Sequence, residues 1–167
     1  MTATDHDRIV STIEQAPLGT YLGRQGAEVL AGYAGEERAL ADGEFLFHRG
    51  DPPETFFLVT RGRLAVVREP SRQRSEVIVH VLEEGDLVGE LSFIDGDDHT
   101  QSVRAIDGEA AVLAFELTDF EPLIEEHPRV MYDFMRAVIV RVHQTAASLG
   151  QQQQELTDYV SRGGKRL

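Results

Sequence analysis

Residues 85–105 read GDLVGELSFIDGDDHTQSVRA, and the succession of parts in that stretch, a Gly-Glu turn, an apolar half-helix and a polar loop, decides how the rest of the chain is read. Gly89 leaves room for the main chain to approach an anion. The N–H groups of Glu90, Leu91 and Ser92 would then open a short helix whose positive end can face negative charge. The loop that follows carries Asp95, Asp97, Asp98 and His99 before apolar alternation resumes at Val103.

Upstream, residues 43–67 read GEFLFHRGDPPETFFLVTRGRLAVV, short strand-like runs separated by turn chemistry. The same punctuation recurs at Asp42-Gly43, Gly50-Asp51-Pro52-Pro53, Arg61-Gly62, Glu83-Glu84-Gly85-Asp86, Asp95-Gly96-Asp97 and Asp107-Gly108, the spacing of a barrel or jelly roll. It predicts strands over 44–48, 55–60, 63–68, 75–82, 87–88, 100–105 and 110–116, closed to hide their edges. The fold class is therefore mainly β with flanking helices: a β-roll (jelly-roll-like) over 43–117, preceded by helices and followed by more. Ile9, Ile13 and Leu30 recur at helical spacing, broken by Gly19, Gly23, Gly26, Gly32 and Gly35, which predicts helical pieces as far as Leu40. In domain terms, 1–17 is a partly helical N-terminal segment, 18–149 one domain with C-terminal helices over 118–149, and 150–167 a helix extension and flexible tail.

Together the two quoted stretches resemble the cyclic nucleotide-binding domain family. Residues 43–67 follow its pattern G-E-x-(I/L)-(I/F)-x-x-G-D-x-x-x-x-(F/L)-(Y/F)-x-(I/V)-x-x-G-x-(V/L)-x-V without a gap. Residues from 89 onward follow its phosphate-binding cassette, G-E-L-A-L, a few variable residues, then R-(S/T)-A-T-V-(R/K)-A. The resemblance spans roughly residues 18–148. It implies a regulatory sensor domain of the catabolite-activator or Fnr type, binding cAMP or cGMP without breaking a bond. Glu90 would accept from the ribose hydroxyl, while Gly89, the N–H groups of Leu91 and Ser92 and the hydroxyl of Thr100 would hold the phosphate.

Three cassette positions depart from the pattern. Ser92 and Gln101 stand where small alanines are usual, and His99 stands where the family carries its phosphate-gripping arginine. An arginine offers a planar, permanently charged fork, whereas imidazole presents one donor and is mostly neutral at pH 7. Losing the fork costs about 1.5–3 kcal/mol, roughly tenfold to more than a hundredfold in affinity. Cyclic nucleotide binding is expected to be weakened or altered. Asp95, Asp97 and Asp98 are expected to raise the His99 pKa, so that binding improves in mild acid.

Beyond Leu117 the pattern is helical again, with Phe120, Leu123 and Ile124 in one piece, a break at His127-Pro128 and a long helix from near Arg129. Met135, Val142, Leu149 and Leu156 stand seven apart, and Val138, Thr145, Gln152 and Tyr159 form a second row. These rows predict a seam for a homodimer. The alternative is packing of one face on the barrel. Gly150 and the glutamines of 151–154 are expected to end the ordered helix early, with 161–167 disordered. The resemblance also implies that Thr145 can present its hydroxyl to a purine.

With 167 residues and 41% apolar content, the chain is sized for one well-buried core. It has no apolar run long enough for a membrane span and begins acidic and polar, which predicts a cytoplasmic protein. Zero cysteines exclude disulfides, thiolate zinc sites and cysteine-held clusters. A net charge of −13 repels a duplex backbone, and of the 16 basic residues only Lys165 is a lysine. Direct DNA binding is not expected, and the residues after Leu149 are too few for a winged helix-turn-helix. A regulatory output would pass through an as yet undefined protein effector. The competing readings are a ligand-free dimeric protein-interaction scaffold of the same fold and a cupin-type metalloenzyme using His48, His80, His99 and Glu90. The second lacks the pair of histidines two apart on one strand, so no metal, cofactor or catalytic residue is assigned.

Overall fold

The computed structural model describes residues 3–68 and 76–163, with side chains over 6–68 and 76–147. Two helices, α1 (Ala3–Gln15) and α2 (Gly19–Ala31), precede six strands: β1 (Glu37–Leu40), β2 (Phe45–Phe47), β3 (Thr55–Arg68), β4 (Val77–Leu82), β5 (Leu87–Val88) and β6 (Ser102–Glu116). A short helix α3 (Glu90–Asp95) lies between β5 and β6, and α4 (Leu117–Phe120), α5 (Leu123–Glu126) and α6 (Pro128–Gly163) complete the chain. The mainly β class with flanking helices is observed, the sheet being antiparallel in the order β1-β6-β3-β4, with β2 also on β6 and β5 also on β3.

The strand count differs from the sequence reading for a physical reason. β3 and β6 each run unbroken through what reads as a hairpin turn, pairing from Thr55↔Glu116 to Val67↔Ser102. The register shifts between Val59 and Arg61 and again between Arg61 and Arg63, so the turn chemistry is spent on bulges inside a ladder. Gly62 takes φ 75°, and a Cβ there would lie 2.4 Å from the Glu109 carbonyl oxygen. Likewise 37–40 is a strand, not helix. The Gly35 N–H donates to the Ala114 carbonyl at 2.8 Å and aligns Glu37–Leu40 with β6.

Alternation along β3 divides the core into two. Phe56 and Leu58 join α1, α2 and α6 in one cluster, while Phe57 and Val59 face the barrel interior with Leu64, Val88 and Val103. Phe56 is the hub of the first, with ring centroids 4.7 Å from Phe115, 4.8 Å from Phe93, 5.1 Å from Phe120 and 5.3 Å from Phe134, spacings at which aromatic pairs attract.

α6 corrects two expectations. It continues through Gly150 and 151–154 to Gly163; residues 164–167 of the expected disordered tail lie outside the described residues. Its predicted seam also changes. Val138 is 2% exposed within the core and Met135 packs against that core, so these two seam positions face inward, while Thr145 of the Val138 row is exposed. The large apolar side chains facing solvent are Tyr132, Ile139 and Val142, at 57%, 62% and 40% exposure. Tyr132, Ile139 and Ala146 thus form an exposed row one residue displaced from the predicted second row, with Val142 of the predicted first row beside it. The side chains of Leu149, Gln152, Leu156 and Tyr159 lie outside the described residues. Among the described residues, no helix is long and apolar enough to cross a membrane.

Candidate functional site

A cavity of about 470 Å³ opens between the sheet and α6, within the roughly 300–1,000 Å³ range of small-molecule sites. Its corner is built where β5 ends. Gly89 adopts φ 77°, ψ 3°, a left-handed conformation that turns the chain sharply into α3. The N–H groups at the start of a helix have no intrahelical acceptor. Glu90, 8% exposed, and Leu91 and Ser92 line the cavity behind Gly89. His99, Thr100 and Gln101 close the corner from the segment leading into β6. Phe47, Val66, Val79, Leu82, Leu87, Val88 and Val103 make an apolar wall, and Arg141, Val142, Thr145 and Ala146 of α6 form the lid. All six cassette residues singled out by sequence therefore meet on one cavity with Thr145.

His99 is the least expected in its placing. It is 5% exposed, and its ring stacks on Phe47 with centroids 3.8 Å apart and planes 13° from parallel. Its backbone is pinned at both ends: the His99 N–H donates to the Asp51 carbonyl at 3.0 Å, and the Gly50 N–H donates to the His99 carbonyl at 2.8 Å. A Cβ on Gly89 would come 3.1 Å from His99 Cε1 and 3.5 Å from Phe47 Cε1, so glycine is needed there for space as well as for φ. Burial pushes the His99 pKa below the ordinary histidine value, and the carboxylates of Asp51 and Asp98 only partly oppose this. That reverses the predicted direction. The Asp95 and Asp97 side chains are exposed, and the Asp95 carboxylate accepts the Asp97 N–H at 3.0 Å, capping its own loop.

Several lining residues escape the sequence reading, Arg141 foremost. Among the described residues it is the one Arg or Lys lining the cavity, and its Nη2 lies 3.7 Å from Asp86 Oδ1, with the two side chains 26% and 28% exposed. Its signal in the sequence is position. Arg141 and Thr145 are four residues apart, hence on one helix face. His80 of β4 also lines the cavity, whereas His48 stacks on Phe45 at 4.4 Å. Among the described residues no three His, Cys, Asp or Glu side chains converge as a metal-ligand set.

A left-handed glycine corner opening a short helix, a buried glutamate beside it, an apolar wall and a helical lid make up the cavity. The cyclic nucleotide-binding domain family matches residues 37–127, and this chain belongs to it. The structure is similar to that of the N-terminal domain of a transcriptional regulator from Streptomyces coelicolor A3(2), at 30% identity and a TM-score of 0.68, covering 80% of this chain and 94% of that one. In sequence it is similar to the cAMP-activated global transcriptional regulator CRP of Salmonella typhimurium, 28% identical over 107 residues. It is also 33% identical over 104 residues to Lysophospholipase NTE1 of Cryptococcus neoformans. The chain spans 50% of the length of the first and 6% of the second, against 63% and 60% of its own. Its fold is that of a cyclic nucleotide-binding regulatory domain.

Proposed function

We propose that this chain is a cytosolic, non-catalytic regulatory module that binds a cyclic nucleotide, with cAMP the first candidate and cGMP the second, at an affinity lowered by His99. The observation that carries the reading is the convergence of Gly89, Glu90, Leu91, Ser92, His99, Thr100 and Thr145 on one cavity. Phosphate would sit against the main chain at Gly89–Ser92 and Thr100, ribose against Glu90, and the purine between the apolar wall and the lid near Thr145. The similarity to a regulator named as cAMP-activated supports the choice of cAMP. A neutral imidazole lying flat on Phe47 cannot replace a guanidinium fork, which supports the lowered affinity.

The α6 stripe at Tyr132, Ile139, Val142 and Ala146 is the proposed homodimer contact, and a protein effector is the proposed recipient of the output. A thermal melt of the purified chain with and without cAMP or cGMP tests the ligand assignment. A ligand at a hundred times its Kd adds about 2.7 kcal/mol, a clear rise in Tm, and no rise with either nucleotide at millimolar concentration refutes it. The packed His99–Phe47 pair filling the phosphate corner favours a second reading, a ligand-free dimeric scaffold, and that outcome would select it.

A further inference from the structure

Resting on that binding reading, we propose that Arg141 on α6 is the cation for the ligand's phosphate, the task the cassette cannot perform with His99, and that Asp86 holds Arg141 until the ligand arrives. The phosphodiester keeps its charge at neutral pH, and in a chain of net charge −13 it needs a partner. His99 is poor in that role, being buried and stacked on Phe47. Among the described residues Arg141 is the one Arg or Lys lining the cavity, one turn of α6 before Thr145, about 6 Å along the axis.

Its present contact is weak in geometry. At 3.7 Å from Asp86 Oδ1 the pair is beyond hydrogen-bond length, and the other carboxylate oxygen of Asp86 already accepts the Glu83 N–H at 2.8 Å. Asp86 is therefore held by its own turn, and Arg141 can leave without stranding it. Arg141 also borders a second cavity of about 160 Å³ between α6 and the α1–α2 junction, lined in part by Tyr21 and Gln144. That space allows the guanidinium to change position without repacking the core. Exchange of Asp86 for phosphate would tie the ligand to α6, while the cassette supplies the main-chain contacts.

Calorimetric titration of the full chain with cAMP tests the assignment by sign. R141Q is expected to weaken binding about tenfold to a hundredfold, and R141K to weaken it less. D86N, which removes the competitor, is expected to bind cAMP at least as tightly as the unmodified chain. H99R is expected to tighten binding, and R141Q should cost less in the H99R background, because two guanidinium groups then share one phosphate. If R141Q binds as well as the unmodified chain, or if D86N and R141Q weaken binding alike, the assignment is overturned and Arg141 is a structural tie. If the unmodified chain and H99R both give no heat with cAMP, the binding reading falls and takes this assignment with it. Circular dichroism and Tm without ligand, with R141K as the conservative variant, separate loss of binding from loss of fold.

Discussion

Gly89→Ala puts a number on how tightly the glycine corner at the proposed phosphate site is built. The backbone at Gly89 has φ 77°, which an L-residue adopts at a cost of about 1–2 kcal/mol. The added methyl would stand 3.1 Å from His99 Cε1. That ring cannot easily retreat, since Phe47 stacks on it at 3.8 Å and main-chain hydrogen bonds of 3.0 and 2.8 Å fix its residue. Displacing it forfeits part of a ring contact worth about 0.5–1.5 kcal/mol, so the total expected loss is about 2–3 kcal/mol. The internal control lies at the other end of α3. Gly96 has nearly the same φ, 78°, but a methyl group added there would meet nothing within 4 Å, so Gly96→Ala should cost only the same backbone share, about 1–2 kcal/mol. Urea unfolding of both variants measures the difference, and G89A should lose cAMP-induced stabilisation that G96A keeps. Equal destabilisation by the two would refute the packing of His99 against Gly89. In the same experiment H99A should bring the cost of G89A down to that of G96A, because the obstructing ring is gone.

Two further outcomes follow from the same geometry. Because burial holds the His99 pKa below that of the unfolded chain, the unfolded state takes up the proton first as pH falls. His99 thus leaves stability untouched above about pH 6.5 and erodes it below, by at most about 1.4 kcal/mol per pH unit. Urea unfolding between pH 7.5 and 5.5 should therefore show a decline that H99Q lacks, and parallel curves for the two proteins would show that His99 is not the group responsible. For the proposed dimer, Ile139, 62% exposed, replaced by Glu should give a monomer in light scattering with an unchanged Tm at low concentration. A chain that is already monomeric, or a dimer indifferent to I139E, removes α6 as the contact.

The parts of this molecule legible from sequence are those where one residue type has one geometric use. Gly62 and Gly89 mark left-handed corners with crowded surroundings, and the run from Gly89 to Thr100 announces a turn, a half-helix and a loop in the order found. What escapes the eye depends on tertiary weight. β1 shows three exposed positions out of four, so no alternation betrays it, and only pairing with β6 makes it a strand. The Arg61-Gly62 and Asp107-Gly108 pairs look like hairpin ends but are absorbed as bulges and a tight bend inside β3 and β6. Val138 fits a seam or a core equally well by period, and its burial in the cluster shared with α2 decides between them. For His99 the sequence displays the neighbouring carboxylates but not the Phe47 ring above it, and desolvation outweighs charge. Arg141 becomes a site residue only when the fold lays α6 over the cavity.

The placing of α6 would let one helix serve both the proposed ligand and the proposed partner. Phe134, Ala137 and Val138 fix its first turns to the core, so that stretch has little freedom to shift. The rows that follow are different. Val142 and Ala146 line the cavity and also belong to the exposed stripe, with Val142 40% exposed. A purine seated beneath them would press on the same side chains that a second copy would cover. Ligand and partner would then contact two faces of one short helical segment. Filling the cavity would order that segment and so lower the entropy a partner must still remove on docking. By reciprocity, docking would favour the filled cavity by the same factor. Titrating cAMP into the chain at two concentrations spanning its dimer dissociation constant should give tighter apparent binding in the more concentrated sample, and concentration-independent affinity would show that the two faces act separately.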